Sequence, residues 1–410
     1  MTPLEQSSQQ LNRLSATAAK AMRHSWSKIS ETDILDSWND AVDAYMQVYA
    51  RMQSRAATVA LDAQGSLLAS AGDYIMPDVF INPTAFTGRA TSGATLREYL
   101  SGPVYDALTL IGKGMRARQA LDYVESRAET LAALGIADIA RQAAGADTAT
   151  RPGVGYIRVC APGACSRCMI LAGRFYRWNQ GFLRHPHCYC RHFPCTQKIG
   201  EQWMTDPMEA FNNLSHEEQD RRFGKYSAQA IRDGSDISQV VNARSGVQAI
   251  GSKGRAGRTV PDFTTYGNAN RRGFNKSFYN EYHGTGPRLT PEGCYRLAAG
   301  DREKALELLD DNGYIVDQSW RDWRETMQPN AGRMGRGGRA KSHAEAYRQA
   351  MRTGIRNPDE LGTMTSAERR LYEARLRYIR ALSGSDMNEM AAAERNFRHQ
   401  LANNGEIHVQ

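Results

Sequence analysis

Apolar residues recur at three- and four-residue steps along much of residues 1–148, the period of α-helices with one buried face. The longest run begins after Glu31 and covers about seven helical turns. Its apolar positions are Leu35, Trp38, Val42, Tyr45, Tyr49, Met52 and Val59. Similar runs around Leu11 and over residues 121–135 predict two more helices. Residues 62–95 lack this period and contain Gly, Pro and Ser, so we expect an irregular connection there.

The hydrophobic pattern changes after Arg151-Pro-Gly. Residues 156–160 include two β-branched residues and an aromatic one, which predicts a short strand. Residues 175–178 predict a second strand, and Asn179-Gln-Gly is a turn signal after it. We therefore expect a hairpin in the middle of an otherwise helical chain.

Downstream, capping residues mark further helices. Ser215 and Glu218 form a capping box, and Pro291 is placed as a first-turn residue. The expected helices run from Ser215 to about Arg232, from Thr290 to Gly300 and from Asp301 to Asn312. In the tail, four apolar residues share one helical face: Leu371, Ala374, Tyr378 and Leu382. Such a helix is either a solvated amphipathic helix or one that binds a partner or nucleic acid.

These patterns predict a mainly α protein with a small β-containing, zinc-knuckle-like module in the middle, an α+β arrangement. A chain of 410 residues is long enough for two or three domains. We divide it into an N-terminal helical domain, a Cys/His-rich module, a helical region with a Gly/Arg-rich loop, and a basic linker with a helical tail. The respective bounds are 1–148, 149–200, 201–325 and 326–410.

The cysteines are strongly clustered. Six of the seven, together with three of the nine histidines, lie between Cys160 and Cys195. The N-terminal residues lack a secretory signal pattern, and no run approaches about 18 apolar residues, so we expect a cytosolic and not a membrane protein. In a reducing compartment, closely spaced cysteines are more often metal ligands than disulfides.

Zinc binds about four Cys or His ligands in a tetrahedron, and short-spaced pairs supply two of them. Spacing favours Cys165, Cys168, His185 and Cys188, with Cys190 as the strongest substitute. His187 and His192 are candidates for hydrogen bonding to the ligands. Reduced thiols without metal, disulfides or an iron site are the alternatives. Three cysteines are expected to be buried as small apolar side chains: Cys160, Cys195 and Cys294.

A catalytic site is also conceivable within the cluster. A Cys188 thiolate activated by His185 or His192 would be a nucleophile, but adjacency in sequence does not establish that geometry. A catalytic zinc needs an open position and a general base, whereas no Asp or Glu lies between Cys160 and Cys195. We therefore predict a structural zinc and name no catalytic residue.

The net charge of +8 is compatible with work beside nucleic acid or in an acidic assembly. Solvated helix faces and an arginine-rich composition explain it equally well. Glycine- and arginine-rich stretches supply the candidate contacts to DNA or to a partner: Arg255, Arg258, Arg271, Arg272, Arg336 and Arg339.

The Cys/His cluster also carries a resemblance. Its blocks are Cys165-Ser-Arg-Cys-Met-Ile-Leu-Ala-Gly173, Tyr176-Arg-Trp-Asn-Gln-Gly-Phe182 and Arg184-His-Pro-His-Cys-Tyr-Cys-Arg-His192. They closely resemble the signature of tailed-phage minor head proteins related to the F protein of phage Mu (MuF-like), in the form found in phages of actinobacteria. Similar blocks follow within residues 219–221, 228–234, 239–244 and 288–298, so the resemblance spans about residues 150–316.

The resemblance implies a minor capsid protein that acts in head morphogenesis inside the procapsid, near the portal, during DNA packaging. The implied partners are the portal protein and the major capsid protein or scaffold, with packaged DNA as a further candidate. The implied locations are the host cytoplasm and then the capsid interior of the virion. The implied site residues are Cys165, Cys168, His185, Cys188 and Cys190, while Cys160 and Cys195 depart from the family pattern.

Two other functions remain open. Some relatives carry the label capsid maturation protease, although this chain shows no catalytic triad. A DNA-contacting zinc module inside the phage head would instead use the basic arms against the genome.

Overall fold

The computed structural model describes residues 1–160, 166–179, 190–203, 206–234, 237, 240–241, 289, 291–315 and 366–403. Most of these residues are helical, and the sheet has three short strands. The N-terminal helices are α1 Pro3–Trp26, α2 Ile34–Ser70, α3 Leu96–Gly112 and α4 Ala117–Thr150. The middle holds β1 Val154–Val159, α5 Ser166–Met169, β2 Phe175–Arg177, β3 Arg191–Thr196 and α6 Gln197–Gln202. The remaining helices are α7 Pro207–Asn212, α8 His216–Phe223, α9 Lys225–Arg232, α10 Pro291–Ala298, α11 Arg302–Asp311, α12 Ser366–Leu382 and α13 Met387–Asn403.

Helices α1 to α4 enclose the largest hydrophobic core. Their aromatic residues are anchored by hydrogen bonds as well as by burial: Trp38 Nε1 donates to Ser101 Oγ at 2.8 Å, and Tyr49 Oη donates to the Ala132 carbonyl at 2.9 Å. Because a buried aromatic side chain with a satisfied polar atom fixes both position and orientation, these contacts set how α2 lies against α3 and α4.

The predicted N-terminal helices are confirmed, but two of them extend further than the sequence pattern indicated. Helix α2 continues to Ser70, and α4 continues through Gly145 to Thr150. Both extensions are buried against the rest of the chain, and this burial outweighs the weak helix propensity of glycine. Helix α3 was not predicted, although Thr95 and Glu98 form a capping box at its start.

The sheet has the strand order β2-β1-β3, and both pairings are antiparallel. Tyr156 lies opposite Tyr176 of β2 and opposite Pro194 of β3. Strands β1 and β2 were predicted. The hairpin prediction had the chain after β2 fold back and pair with β2. The next described strand, β3, pairs with β1 instead. The ten residues before Cys190, which include Gln180 and Gly181 of the predicted turn, lie outside the described part.

The downstream helices begin at the capping residues that the sequence indicated. Ser215 Oγ accepts a hydrogen bond from the Glu218 amide, and Asp301 caps α11 in the same way. The helix expected to run to Arg232 is broken at Gly224, whose φ of 87° is a left-handed conformation that ends α8 before α9 begins. Cys294 is fully buried in the main core, as predicted.

The C-terminal helices α12 and α13 pack against each other and onto Phe80. The apolar face predicted in the tail is covered within this chain, since Leu371, Ala374 and Tyr378 are buried there. Phe397 of α13 contacts Phe80 edge to face, with ring centroids 5.3 Å apart. Among the described residues, no helix combines the length and the apolar character needed to cross a membrane.

Candidate metal centre

The two faces of the sheet have different roles because side chains alternate along a strand. One face of the sheet carries Ile157 and Phe193, which are buried against Leu67 of α2. The opposite face carries an aromatic stack: the Tyr156 ring lies 5.4 Å from the Tyr176 ring and 4.0 Å from the His192 ring, centroid to centroid. The first face fixes the sheet to the helical body, and the second leads toward the cysteines.

Three cysteines meet beyond the end of β1, and we refer to Cys160, Cys168 and Cys190 as the thiol cluster. The Cys190 thiol donates to Cys160 Sγ at 3.6 Å. The Cys160 thiol lies 3.1 Å from the carbonyl oxygen of Cys168. Cys168 and Cys190 are buried, and Cys160 is half-buried. No disulfide joins two of the described cysteines.

Strand register explains why Cys160 and Cys190 meet. In the β1–β3 pairing, Arg158 lies opposite His192 and Val159 lies opposite Arg191. Continuing this register by one residue places Cys160 opposite Cys190, on the same face of the sheet as Arg158 and His192. Side chains directly opposite on one face of an antiparallel pair are close neighbours. The contact is thus a consequence of the ladder.

Two buried arginines contact the cluster. The Arg158 side chain is only 1% exposed, and its Nη2 donates to Cys168 Sγ at 3.2 Å. Arg141 of α4 donates through Nη1 to the Cys190 carbonyl at 3.1 Å, which ties the start of β3 to the helical body. A guanidinium is always charged, so Arg158 places a positive charge directly beside the Cys168 sulfur.

Burial raises the pKa of a thiol and so favours its protonated form. The Cys168 side chain lowers the pKa of Cys160, but the neighbouring Cys190 thiol and burial outweigh this effect and raise the pKa to about 12. Burial also raises the pKa of Cys195 to about 12. At neutral pH, both thiols are therefore protonated as long as no metal replaces the proton.

Of the five predicted ligands, the structure brings Cys168 and Cys190 into one cluster. Cys165, His185 and Cys188 lie outside the described residues, as does His187. His192 stacks on Tyr156 and lies on the cluster's face of the sheet. The six arginines proposed to contact DNA or a partner also lie outside the described part.

The two flanking cysteines, which were predicted alike, differ. Cys195 is fully buried among Leu67, Ile157 and Phe193, as expected for a small apolar side chain. Cys160 instead contacts the thiol of Cys190. Cys160 and Arg158 are the residues that sequence reasoning missed. Their signal was the alternation Tyr156-x-Arg158-x-Cys160, which puts all three on one face of the strand.

The described thiols partly fit zinc. With Zn–S distances of about 2.3 Å, two sulfurs of a zinc tetrahedron lie about 3.8 Å apart. The 3.6 Å between Cys160 Sγ and Cys190 Sγ is close to this edge. Within the described residues, however, no group of three or more His, Cys, Asp or Glu side chains is arranged to hold a metal ion.

A separate cleft of about 140 Å³ lies between α2 and α13. Its lining residues are Thr58, Leu61, Asp62, Ile81, Pro83, Arg398, His399, Ala402 and Asn403. At its rim, His399 Nε2 and Asp62 Oδ2 are 2.7 Å apart. Their hydrogen bond raises the pKa of His399 more than burial lowers it. The pair joins the last helix to α2.

The chain thus combines a helical body, a three-stranded sheet and a buried cluster of thiols beside an arginine. The cluster has the residue types of a thiolate metal site and is joined to the body through Arg141. Comparison of the chain with protein-family models, with curated proteins and with solved structures found no match.

Proposed function

We propose that this chain is a minor capsid protein of a tailed phage that acts in head morphogenesis near the portal. The observation that carries the proposal is the Cys/His motif from Cys165 to His192, whose spacing and intervening residues resemble those of MuF-like minor head proteins. The downstream blocks at residues 219–244 and 288–298 add to the same resemblance.

We further propose that the motif binds a structural zinc ion. Cys168 and Cys190 belong to one buried cluster, and the remaining ligands of the tetrahedron would come from the other predicted candidates, Cys165, His185 and Cys188. Zinc would join β1, α5 and β3 at the end of the sheet. Because the site does not exist in the unfolded chain, the free energy of zinc binding contributes directly to folding.

A structural role agrees with the chemistry of the cluster. No carboxylate lies between Cys160 and Cys195 to act as a general base for a zinc-bound water. Cys168 and Cys190 are only 3% and 2% exposed, which leaves a substrate little access to either sulfur. A closed site with several thiolates is typical of zinc that holds a fold together.

Assembly in a host that produces the portal and major capsid proteins tests the role in head formation. We expect the chain to sediment with procapsids and to co-purify with the portal protein. A Cys168→Ser variant should be lost from the particles, whereas Cys195→Ser, a matched change at a buried cysteine on the other face of the sheet, should be retained. Absence of the wild-type chain from both procapsids and virions would refute the proposal.

The same particles separate the structural role from a capsid maturation protease. The N-terminus of the major capsid protein is determined by mass spectrometry after co-expression with and without this chain. An unchanged N-terminus is expected. A cleavage that requires this chain and disappears in a folded Cys188→Ala variant would instead identify it as the protease.

A further inference from the structure

We infer that Cys160 is itself a ligand of the zinc site and forms one edge of the metal's tetrahedron together with Cys190. This inference rests on the zinc site of the proposed function and adds a ligand that the spacing of the motif did not indicate. The resulting centre takes its thiolates from the end of β1 and the start of β3, with Cys168 beside them on α5.

The geometry of the strand pair is the first support. The β1–β3 register places Cys160 opposite Cys190, and their Sγ atoms are 3.6 Å apart. Two thiolates bound to one zinc ion lie about 3.8 Å apart, so both sulfurs reach a common metal with little change in the backbone. A cross-strand pair at the end of a ladder is held by the preceding backbone hydrogen bonds, which makes the edge preorganised.

The position of Cys168 is the second support. The 3.1 Å contact between Cys160 Sγ and the Cys168 carbonyl oxygen brings α5 against the end of β1. All three cysteines therefore belong to one cluster, although Cys168 and Cys190 lie eight and thirty residues after Cys160 along the chain. A metal between them would replace thiol hydrogen bonds with metal–sulfur bonds.

Charge is the third support. Three thiolates around Zn²⁺ carry a net charge of −1, which is costly in a buried site unless a positive group offsets it. Arg158 is 1% exposed and donates to Cys168 Sγ at 3.2 Å, so it supplies that charge. As a residue that contacts a ligand and not the metal, Arg158 would hold the thiolate in place.

Cys195 provides the contrast. It lies in β3, the strand that follows Cys190, but its side chain is on the opposite face of the sheet, among Leu67, Ile157 and Phe193. The two cysteines that depart from the family pattern therefore have different chemical surroundings. Of these two, Cys160 faces other thiols and Cys195 does not, so Cys195 is an internal control for substitution of a buried cysteine.

The experiment uses the full chain, purified with reductant from bacterial cytosol. Zinc content is measured by mass spectrometry, and Zn²⁺ affinity by competition with a chromophoric chelator. We expect Cys160→Ser and Cys190→Ser to lower the affinity by at least about 100-fold, beyond the range for residues that only contact a ligand. Cys195→Ser should leave it unchanged. With Co²⁺ in place of zinc, the thiolate-to-cobalt band should weaken in Cys160→Ser.

A second measurement needs no variant and remains valid if Cys160→Ser does not fold. The wild-type protein is treated with iodoacetamide before and after removal of zinc by a chelator, and each cysteine is quantified by peptide mass spectrometry. Modification of Cys160 and Cys190 should rise together once zinc is removed. An equal extent of Cys160 modification before and after zinc removal would overturn the inference. A Cys160–Cys190 disulfide in freshly purified protein would also overturn it.

The outcomes separate this inference from the proposals on which it depends. Wild-type protein with zinc, and a Cys160→Ser variant with equal affinity, would refute the Cys160 assignment and leave the zinc site intact. Wild-type protein without zinc would refute both. Neither result bears on head assembly, which is tested by co-purification with the portal protein.

Discussion

Arg151 and Glu394 form a buried ion pair that joins the end of α4 to the last helix. Arg151 Nη2 lies 2.6 Å from Glu394 Oε1, and the two side chains are 0% and 2% exposed. Arg151 also pairs with Asp147, and Arg398 pairs with both Asp147 and Glu394. Two positive and two negative charges thus compensate each other between α4 and α13.

Neutralising Glu394 should destabilise the protein. In Glu394→Gln, both arginines remain buried with Asp147 as the only carboxylate of the network. Removing one partner of a buried ion pair costs about 3–5 kcal/mol because the remaining charge is uncompensated. Urea unfolding followed by circular dichroism measures this loss. Glu389→Gln, an exposed change on the same helix, is the control and should have little effect; equal stability of both variants would contradict the prediction.

The same network predicts a loss of stability in acid. Burial alone raises the pKa of Glu394, but the charges of Arg151 and Arg398 outweigh it and lower the pKa from 4.5 to about 2. A lowered folded-state pKa stabilises the protein above pH 4.5, and this contribution disappears as the pH falls to about 2. The loss is about 3 kcal/mol at 1.36 kcal/mol per pKa unit.

The acid effect is measured as the free energy of unfolding between pH 6 and the lowest pH at which the protein remains folded. The wild-type chain should lose more stability than Glu394→Gln over this window, because the variant has no proton to gain at this position. Parallel curves for the two proteins would show that Glu394 titrates normally in the folded state.

The contact between His399 and Asp62 should make the protein less stable as the pH rises, which is opposite to the effect of Glu394. Its pKa is raised, first by the hydrogen bond with Asp62. The contact therefore stabilises the docked last helix fully below the ordinary pKa of 6.5, and this contribution is lost as the pH rises through the folded-state value. Melting temperatures from pH 5.5 to 8.5 should fall more steeply in the wild type than in His399→Gln. Asp62→Asn should have the same flattened profile, and an unaltered slope in either variant would contradict the assignment.

Two glycines of α4 should respond oppositely to alanine. A Cβ at Gly135 would lie 2.2 Å from Tyr49 Oη and 2.9 Å from Tyr99 Oη, whereas one at Gly145 would meet no atom within 4 Å. Gly135→Ala should cost about 1–3 kcal/mol through overpacking. Gly145→Ala should stabilise the helix by about 0.5–1 kcal/mol. Thermal unfolding of both variants measures the difference, and a loss in Gly145→Ala would count against the packing described.

Arg158 should matter for metal affinity. Arg158→Met keeps an apolar stem but removes the donor to Cys168 Sγ, so zinc affinity should fall by about 10–100-fold. Arg177→Met, at an exposed position on β2, is the matched control and should retain affinity. Competition with a chromophoric chelator measures both variants. Equal affinities would show that the guanidinium does not stabilise the ligand.

Much of the local structure follows from sequence periodicity and caps. The helices α1, α2 and α4 and the strand β1 were predicted because the three- to four-residue and two-residue periods of burial are visible along the chain. Caps such as Asp301 mark helix starts because their side chains accept a hydrogen bond from the first turn. Helix α3 was not predicted, because the irregular composition before it obscured the capping box at Thr95.

The sequence by itself determined the Cys/His motif and the absence of carboxylates within it. Tertiary structure decided which residues meet. Cys160 and Cys190 are neighbours because of the β1–β3 register, and Arg151 and Glu394 because α13 docks on α4. Local patterns record which face of an element is buried, but partners distant in sequence are selected by strand register and by the compensation of buried charge.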